Sequence, residues 1–347
     1  MMDTATRTVS PNGAKASIKH ALKKKRPIFL WGAPGIGKSD IVKSVAKMHN
    51  LKLIDMRLAQ SDPTDLNGFP TLQQDGKRMD YAPPMTFPLQ DMDSIPEGYD
   101  GWLLFLDEIN AAPPSIQAAA YKLVLDRQIG AHNLHRNVAI VCAGNKATDK
   151  AIVNRLSTAM QSRMVHLNLM VDTESWLEWA NSNDIDHRVI SFVKFRPELL
   201  HKFNPSHADD TFASPRTWEF VSKIINGKSK LSQIDHAILV GTVGEGAATE
   251  FRGFCAVYKD LPDIDTMLTN PSLVQIPNEP GHQYAMTTLI SHNATITTIT
   301  ALMVIIKKLP TEFQVVVLKD IYANNPDLKG HPIIQTWVTN NADRLFG

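Results

Sequence analysis

The sequence predicts an α/β protein, with a three-layer αβα core around a parallel sheet and then a mostly α-helical C-terminal half. Short apolar strand patterns alternate with helical patterns, as in parallel sheets covered on both faces. A loop with three glycines separates the first buried strand from a helix, and strand patterns fade after about residue 175. A chain of 347 residues is long enough for roughly two domains of about 150 residues. We expect them at residues 1–175 and 176–347.

Hydrophobic periodicity predicts the individual elements. Strands are expected at Ile28–Trp31, Leu51–Met56, Trp102–Leu106 and Val138–Asn145. Helices are expected at 12–26, Asp40–Met48, Ile116–Leu125, Trp218–Ile225, Gln233–Val243 and Ala294–Lys308. Residues 61–88 contain several prolines that interrupt any period, and we expect them to form a loop.

Composition excludes several classes of protein. The formal net charge of +1 gives no overall reason to expect nucleic acid or a membrane surface as partner. Cys142 and Cys255 lie far apart in apolar surroundings, which is typical of buried thiols in a reducing compartment. The apolar stretch Ala301 to Ile306 is much shorter than the roughly 20 residues of a membrane helix. We therefore expect a soluble, cytoplasmic protein.

The glycine-rich loop fits the pattern G-x-x-x-x-G-K-[ST], because Gly32, Gly37, Lys38 and Ser39 occupy its fixed positions between a strand and a helix. Glycines allow backbone N–H groups to turn inward around an anion, and the next helix directs its positive end toward the same place. Lys38 is expected to bridge phosphate oxygens, and the Ser39 hydroxyl to bind Mg²⁺. The residues expected to contact the nucleotide are Gly32, Ala33, Pro34, Gly35, Ile36, Gly37, Lys38, Ser39 and Asp40.

Two acidic residues end the strand in "WLLFLDEIN" (Trp102–Asn110). We expect this strand to lie next to the glycine-loop strand, so that Asp107 can hold the water shell of Mg²⁺. Glu108 could then polarise a water for attack on the γ-phosphate. A transferase would need to activate its acceptor and not water, so the pair favours ATP hydrolysis over phosphorylation of a small molecule. The alternative is that both acids only cap the following helix.

The order of motifs resembles the AAA+ ATPases, and more narrowly their MoxR-like and dynein-related group. The segments that carry the resemblance are GAPGIGKS, LLFLDEIN, AGN and SPRTWEF, with the spacers RLAQSDPTDLNGFP and YAPPMTFP. The resemblance covers about residues 12–225 well and the remainder only loosely. It implies a P-loop NTPase core followed by a helical lid, and we expect a helical extension after that.

The resemblance also implies roles for three further residues. Asn145 corresponds to the polar residue that senses the γ-phosphate, with a turn-forming asparagine as the alternative. Arg216 corresponds to the arginine that the lid directs at the phosphates of its own subunit. Arg163 falls where the family places the arginine finger that acts on the neighbouring subunit, and Arg155 is a close competitor. Arg127 is expected at a subunit interface or pore, or simply at the surface.

Two other sequence patterns resemble a guanine-binding motif and a metal-binding motif. "NKATD" (Asn145–Asp149) is close to the N-K-x-D pattern of guanine recognition, but its aspartate comes one residue late, so we favour adenine. His132 and His135 have the spacing H-x-x-H without a further group of ligands, and we do not expect a metal there.

These observations predict a remodelling ATPase that uses ATP and Mg²⁺, acts in the manner of a chaperone on a protein partner, and assembles as a homo-oligomeric ring, most simply a hexamer. The resemblance implies a partner with a von Willebrand factor A-type domain. The alternative is a nucleic-acid translocase or restriction-type motor on the same ATPase core. Nucleic acid is the less favoured partner because the net charge is near zero and we identify no added nucleic-acid-binding module.

Overall fold

The computed structural model describes residues 7–73, 76–149, 154–206, 209–257 and 261–341. The chain forms two compact units. The first ends at Asp172 and also takes in a short stretch that begins at Asn204, and the second begins at Thr173. The domain boundary expected after residue 175 stays a prediction.

The described residues of the first unit form a six-stranded parallel sheet. Its strands are β1 (Thr8–Val9), β2 (Ile28–Trp31), β3 (Leu51–Arg57), β6 (Gly101–Asp107), β9 (Val138–Gly144) and β10 (Val165–Leu169). They lie in the order β1-β10-β2-β9-β6-β3. The glycine-loop strand β2 therefore pairs with β9 and β10. The expectation that the acidic strand β6 lies next to β2 is wrong, because β9 lies between them.

Helices cover both faces of the sheet, which confirms the predicted fold class. They are α1 (Pro11–Lys23), α2 (Lys38–Met48), α4 (Pro114–Tyr121) and the short α5 (Thr158–Gln161). Side chains of β6 alternate between the two faces. Leu103 and Phe105 pack with α1 and α2, whereas Trp102, Leu104 and Leu106 pack with α4. The strand is buried along its whole length, as expected of a strand covered on both sides.

The segment 61–88 is more ordered than the expected loop. It contains the helix α3 (Pro63–Asn67) and an antiparallel hairpin of β4 (Phe69–Leu72) and β5 (Met79–Ala82). Sequence periodicity missed the hairpin because neither face of it is buried: Phe69, Leu72 and Met79 are all exposed. A second, smaller hairpin joins β7 (Gln128–Ile129) to β8 (His132–Asn133).

The described part of the second unit is helical, as predicted. Its helices are α6 (Thr173–Asn181), α7 (His187–Phe195), α8 (Pro215–Ile225), α9 (Gln233–Val243), α10 (Glu245–Val257), α11 (Ile264–Thr269), α12 (Pro280–His292), α13 (Ile299–Ile306), α14 (Thr311–Asn324) and α15 (Pro332–Asn340). The helix expected over Ala294–Lys308 is shorter at both ends. The Thr295 hydroxyl and the Thr298 amide are hydrogen-bonded in the turn before α13, a local side-chain bond that competes with a helical backbone.

A buried ion pair links two helices of this unit. Lys194 of α7 donates to Asp320 of α14 over 2.5 Å. Burial raises the pKa of Asp320, and Lys194 opposes that shift. Among the described residues, no helix is long and apolar enough to cross a membrane.

Candidate functional site

The glycine-rich loop leaves β2 at the carboxyl edge of the sheet and leads directly into α2. Gly35 and Gly37 have φ angles of 76° and 90°, a backbone region that only glycine adopts without strain. Ile36, between them, is buried among the side chains under α1 and α2. The loop is therefore anchored by one apolar side chain and turned by the two glycines that flank it.

The Lys38 ammonium lies inside the curve of this loop. It donates to the carbonyl oxygens of Gly32 (2.6 Å) and Ala33 (3.0 Å) and to Oδ1 of Asn145 (2.8 Å). Asn145 follows the last residue of β9, the strand next to β2. Two residues that were both expected to lie at the γ-phosphate thus share a direct hydrogen bond.

Ser39 and Asp107 also meet, although β2, the strand before the glycine loop, and β6, which ends in Asp107, are not neighbours. The Ser39 hydroxyl donates to Oδ2 of Asp107 over 3.0 Å, and Asp107 is only 9% exposed. Partial desolvation raises the pKa of Asp55 on β3, Lys43 opposes the shift, and the Asp107 charge adds to it. Hydroxyl and carboxylate oxygens are the ligands that Mg²⁺ prefers, and it binds through one or two of them with water and phosphate completing the shell. The residues present therefore fit Mg²⁺.

Glu108 has a left-handed backbone with φ of 56°. Its N–H donates to Oδ1 of Asp107, and its carbonyl accepts from the amides of Ala111 and Ala112. Its side chain is half-buried, and no hydrogen bond to the carboxylate is seen within the described ranges. The backbone of Glu108 therefore forms the turn after β6, while its carboxylate stays available for a water molecule.

Asn110 is a site residue that sequence reasoning missed. It is 2% exposed, and its Nδ2 donates to the carbonyl of Asn145 over 2.7 Å. Its Oδ1 has no hydrogen-bond partner among the residues that the structure describes and lies against Gly144, where an added Cβ would come within 2.1 Å of it. Its own carbonyl accepts from the amide of Asn154 over 2.6 Å. Asn110 therefore ties the turn after β6 to the end of β9, and its position three residues after Asp107 was the available signal.

The two candidate finger arginines lie at opposite edges of the sheet. Arg155 lines a groove of about 810 Å³ together with Trp31 and Asn168, at the carboxyl ends of β2 and β10. Arg163 is exposed and comes two residues before Val165, which begins β10 at the amino edge. Arg155 is therefore on the same edge as the glycine loop of its own chain, and Arg163 is not.

The remaining predicted residues are placed as follows. Asp40 is exposed in the first turn of α2. Arg216 is exposed in the first turn of α8, on the second unit. Arg127 is half-buried, and its Nη2 donates to the carbonyls of His135 (3.0 Å) and Val138 (2.7 Å) of its own chain; its place at a subunit interface or pore stays a prediction. Among the described residues no group of three potential metal ligands occurs.

Comparison with known protein families gives one match. The model of the AAA domain, dynein-related subfamily, matches residues 27–164, which is less than half of the chain. The matched segment begins before β2 and ends before β10, so it contains the glycine loop, the acidic strand and Asn145. The resemblance inferred from the motifs is confirmed for this segment.

Several solved structures are remotely similar. A proposed ATPase of Cytophaga hutchinsonii is 15% identical with a TM-score of 0.37, covering 92% of this chain and 82% of its own. A RuvB variant of Thermotoga maritima is 14% identical with a TM-score of 0.35, covering 85% and 72%. NtrX of Brucella abortus is 14% identical with a TM-score of 0.38, covering 89% and 67%. Nothing about function follows from similarity at this level.

Proposed function

We propose that the chain binds ATP with Mg²⁺ and hydrolyses it, because residues 27–164 match the model of the AAA domain, dynein-related subfamily. The observation that carries the proposal is the meeting of five functional residues at one edge of the sheet. The Lys38 ammonium donates to Asn145, the Ser39 hydroxyl donates to Asp107, and the backbone N–H of Glu108 donates to Asp107.

Each group has a distinct task in this proposal. Lys38 exchanges its carbonyl and amide partners for phosphate oxygens, which are stronger acceptors because they are charged. Asn145 then donates through its amide nitrogen to the transferring phosphate, and Glu108 orients and polarises the attacking water. Mg²⁺, when bound through Ser39 and the Asp107 shell, neutralises charge on the phosphates. Arg216 is proposed to contact the same phosphates from the second unit.

Asn110 is a positioning residue for this reaction. Its hydrogen bond to the Asn145 carbonyl fixes the end of β9 relative to the turn that carries Glu108. This bond adds to the pairing of β6 with β9 and to the backbone bond from the Ile109 amide to the Ala143 carbonyl. Misplacement of the Glu108 carboxylate or the Asn145 amide by about 1 Å can reduce turnover on the order of 100-fold.

A ring is proposed because of where Arg163 lies. The glycine loop follows the carboxyl end of β2, whereas Arg163 precedes β10 at the amino edge. An arginine finger that serves its own subunit should lie near its own loop, and Arg155 fits that place better. Arg163 is exposed and free to reach a neighbour, so it is the better candidate for action in trans. Closed rings follow when such head-to-tail contacts repeat, and we propose a hexamer.

The proposed output is remodelling of a protein partner, in the manner of a chaperone. The β4–β5 hairpin supports this, since it exposes Phe69, Leu72, Met79 and Tyr81. Neighbouring exposed apolar side chains commonly mark protein interaction sites. A partner with a von Willebrand factor A-type domain is the candidate to test, in the cytoplasm.

The decisive experiment measures ATP turnover in mixed rings. Arg163→Ala and Glu108→Gln should each lose most activity while still binding ATP, since a finger contributes about 10³–10⁵ in rate in GTPases. Mixing the two variants should restore some turnover, because an intact Glu108 can then face an intact Arg163. Arg155→Ala is the matched control and should keep most of its activity. Mixed rings that form but stay inactive would rule out Arg163 as the finger.

The partner class is tested in the same assay. Turnover is measured with and without single-stranded DNA, duplex DNA, RNA and the candidate partner protein. Stimulation by the protein alone supports remodelling. Stimulation by a nucleic acid in the absence of protein would replace it with the translocase alternative.

A further inference from the structure

A small cavity of about 220 Å³ lies at the amino edge of the sheet, on the opposite side from the glycine loop. Its walls include Lys25 and Arg26, which precede β2, together with Arg127, Arg136 and Asp100. We propose that this amino-edge cavity binds a phosphate group. The proposal is independent of the reaction at the glycine loop.

The charges around the cavity are unbalanced. Lys25, Arg26, Arg127 and Arg136 contribute four positive charges, and Asp100 contributes one negative charge. No ion pair found within the described ranges involves any of these four cations. Four cations and one carboxylate around a single cavity produce a local positive potential in a chain whose net charge is only +1, and a low-dielectric recess strengthens such a potential.

The positive charges around the cavity affect the pKa of a neighbouring histidine. His135 is buried, and its ring makes an edge-to-face contact with the ring of Trp102. Burial lowers the pKa of His135, the charges of Arg136 and Arg127 lower it further, and Asp93 opposes them. Protonation of His135 would add a further positive charge here and is therefore disfavoured, whereas an anion would be favoured.

Arg127 is held in place for such an anion. Its backbone is left-handed, with φ of 54°, and its Nη2 bonds to the carbonyls of His135 and Val138. These bonds use one nitrogen of a guanidinium that carries five N–H donors in a planar fork. Burial lowers the pKa of Arg127, and no carboxylate in the described part of the chain forms an ion pair with it. A phosphate group would supply the missing charge and accept from the remaining donors.

The size of the cavity restricts the ligand. Sites for drug-sized molecules occupy about 300–1,000 Å³, so 220 Å³ suits a phosphate or diphosphate group and not a whole nucleotide. The group could be a free inorganic ion or a terminal phosphate of a nucleic acid strand whose remainder stays outside. Both sources present the same chemistry to the four cations, and competition distinguishes them.

Inorganic diphosphate is the probe, and calorimetry is the measurement. The protein is first saturated with ADP and Mg²⁺ so that the glycine loop is occupied. Wild-type protein should then bind one further diphosphate. The double variant Lys25→Gln with Arg136→Gln should bind it roughly tenfold more weakly or worse, because charge-assisted hydrogen bonds are the strong ones. Both side chains are exposed, so the variant should fold.

Lys24→Gln is the matched control, since Lys24 belongs to the same basic run but does not line the cavity. It should bind diphosphate as wild type does, and all three proteins should retain the same ADP affinity. Displacement of diphosphate by a 5′-phosphorylated single-stranded oligonucleotide supports a nucleic-acid source, and lack of displacement supports a free ion. The proposal fails if ADP-saturated wild type binds no diphosphate, or if the double variant binds it equally well.

Discussion

The two edges of the parallel sheet treat charge in opposite ways. At the carboxyl edge, Lys38, Asn145, Ser39 and Asp107 are joined by hydrogen bonds. At the amino edge, four cations face one cavity and form no ion pair among the described residues. The polar groups of the carboxyl edge can exchange their present partners for a substrate. The cations of the amino edge produce a positive potential that no described carboxylate pairs with. What each edge of this sheet can bind therefore depends on whether its polar groups are paired, and not on the position of the edge.

The largest expected effect comes from removing the cation of the carboxyl edge. Lys38→Ala should weaken ATP binding roughly 100-fold or more, since hydrogen bonds to charged groups contribute about 1.5–3 kcal/mol each and this ammonium makes several. Titration with a fluorescent ATP analogue measures the change. Lys47→Ala, at the exposed end of the same helix, should bind normally. Unchanged affinity in Lys38→Ala would remove the glycine loop from the site.

The next effect tests the close approach between β9 and the turn after β6. In Gly144→Ala the new Cβ would lie 2.1 Å from Oδ1 of Asn110 and 2.9 Å from the ring of Phe29. Overpacking of this kind costs about 1–3 kcal/mol, so the free energy of unfolding in urea should fall by that amount. Gly13→Ala, where the nearest atom is 3.4 Å away, should be neutral or slightly stabilising. Equal stability of the two variants would contradict the described contact.

A smaller effect separates positioning from binding. Asn110→Ala removes the bond to the Asn145 carbonyl, and we expect turnover to fall roughly tenfold, in line with about 1.4 kcal/mol per factor of ten, while ATP affinity stays near normal. Rapid-quench kinetics and equilibrium binding measure the two quantities. Asn133→Ala, an exposed residue on β8, is the control and should change neither. A loss of ATP affinity as large as the loss of turnover would show that Asn110 only supports the fold.

The smallest effect concerns the amino edge and pH. Arg136→Gln removes one of the charges that lower the pKa of His135, so this pKa should rise toward the ordinary value of about 6.5. A lowered pKa means that the folded state binds the proton less readily than the unfolded chain does. Stability therefore falls as the pH drops below the ordinary pKa of about 6.5. The variant should therefore lose less stability on acidification. NMR titration of His135 measures the pKa, with Lys24→Gln as control, and an unchanged pKa would show that Arg136 does not act on this cavity.

Local chemistry was predictable from the sequence, and strand order was not. The bond between Ser39 and Asp107 was foreseeable because each residue type has a fixed place in its own motif. That β9 separates β2 from β6 depends on pairing between segments more than a hundred residues apart, which no local pattern encodes. The hairpin Phe69–Leu72 was missed because its apolar residues face solvent, so no buried face produced a period. Asn110 was missed because a single polar residue after a strand usually indicates only a turn.

Strand order also sets when the site can form during synthesis. Among the described strands, β2 pairs with β9 and β10 alone. The glycine loop that follows it is joined to β9 by the bond from the Gly32 amide to the Gly144 carbonyl. Ribosomes add about 5–20 residues per second, so β2 waits on the order of ten seconds for its first partner. Until then an apolar strand and a glycine-rich loop leave the ribosome without the strands that pair with β2. This stretch of the nascent chain is therefore where we expect a cotranslational chaperone to bind, and truncated chains ending before Val138 should be its best clients.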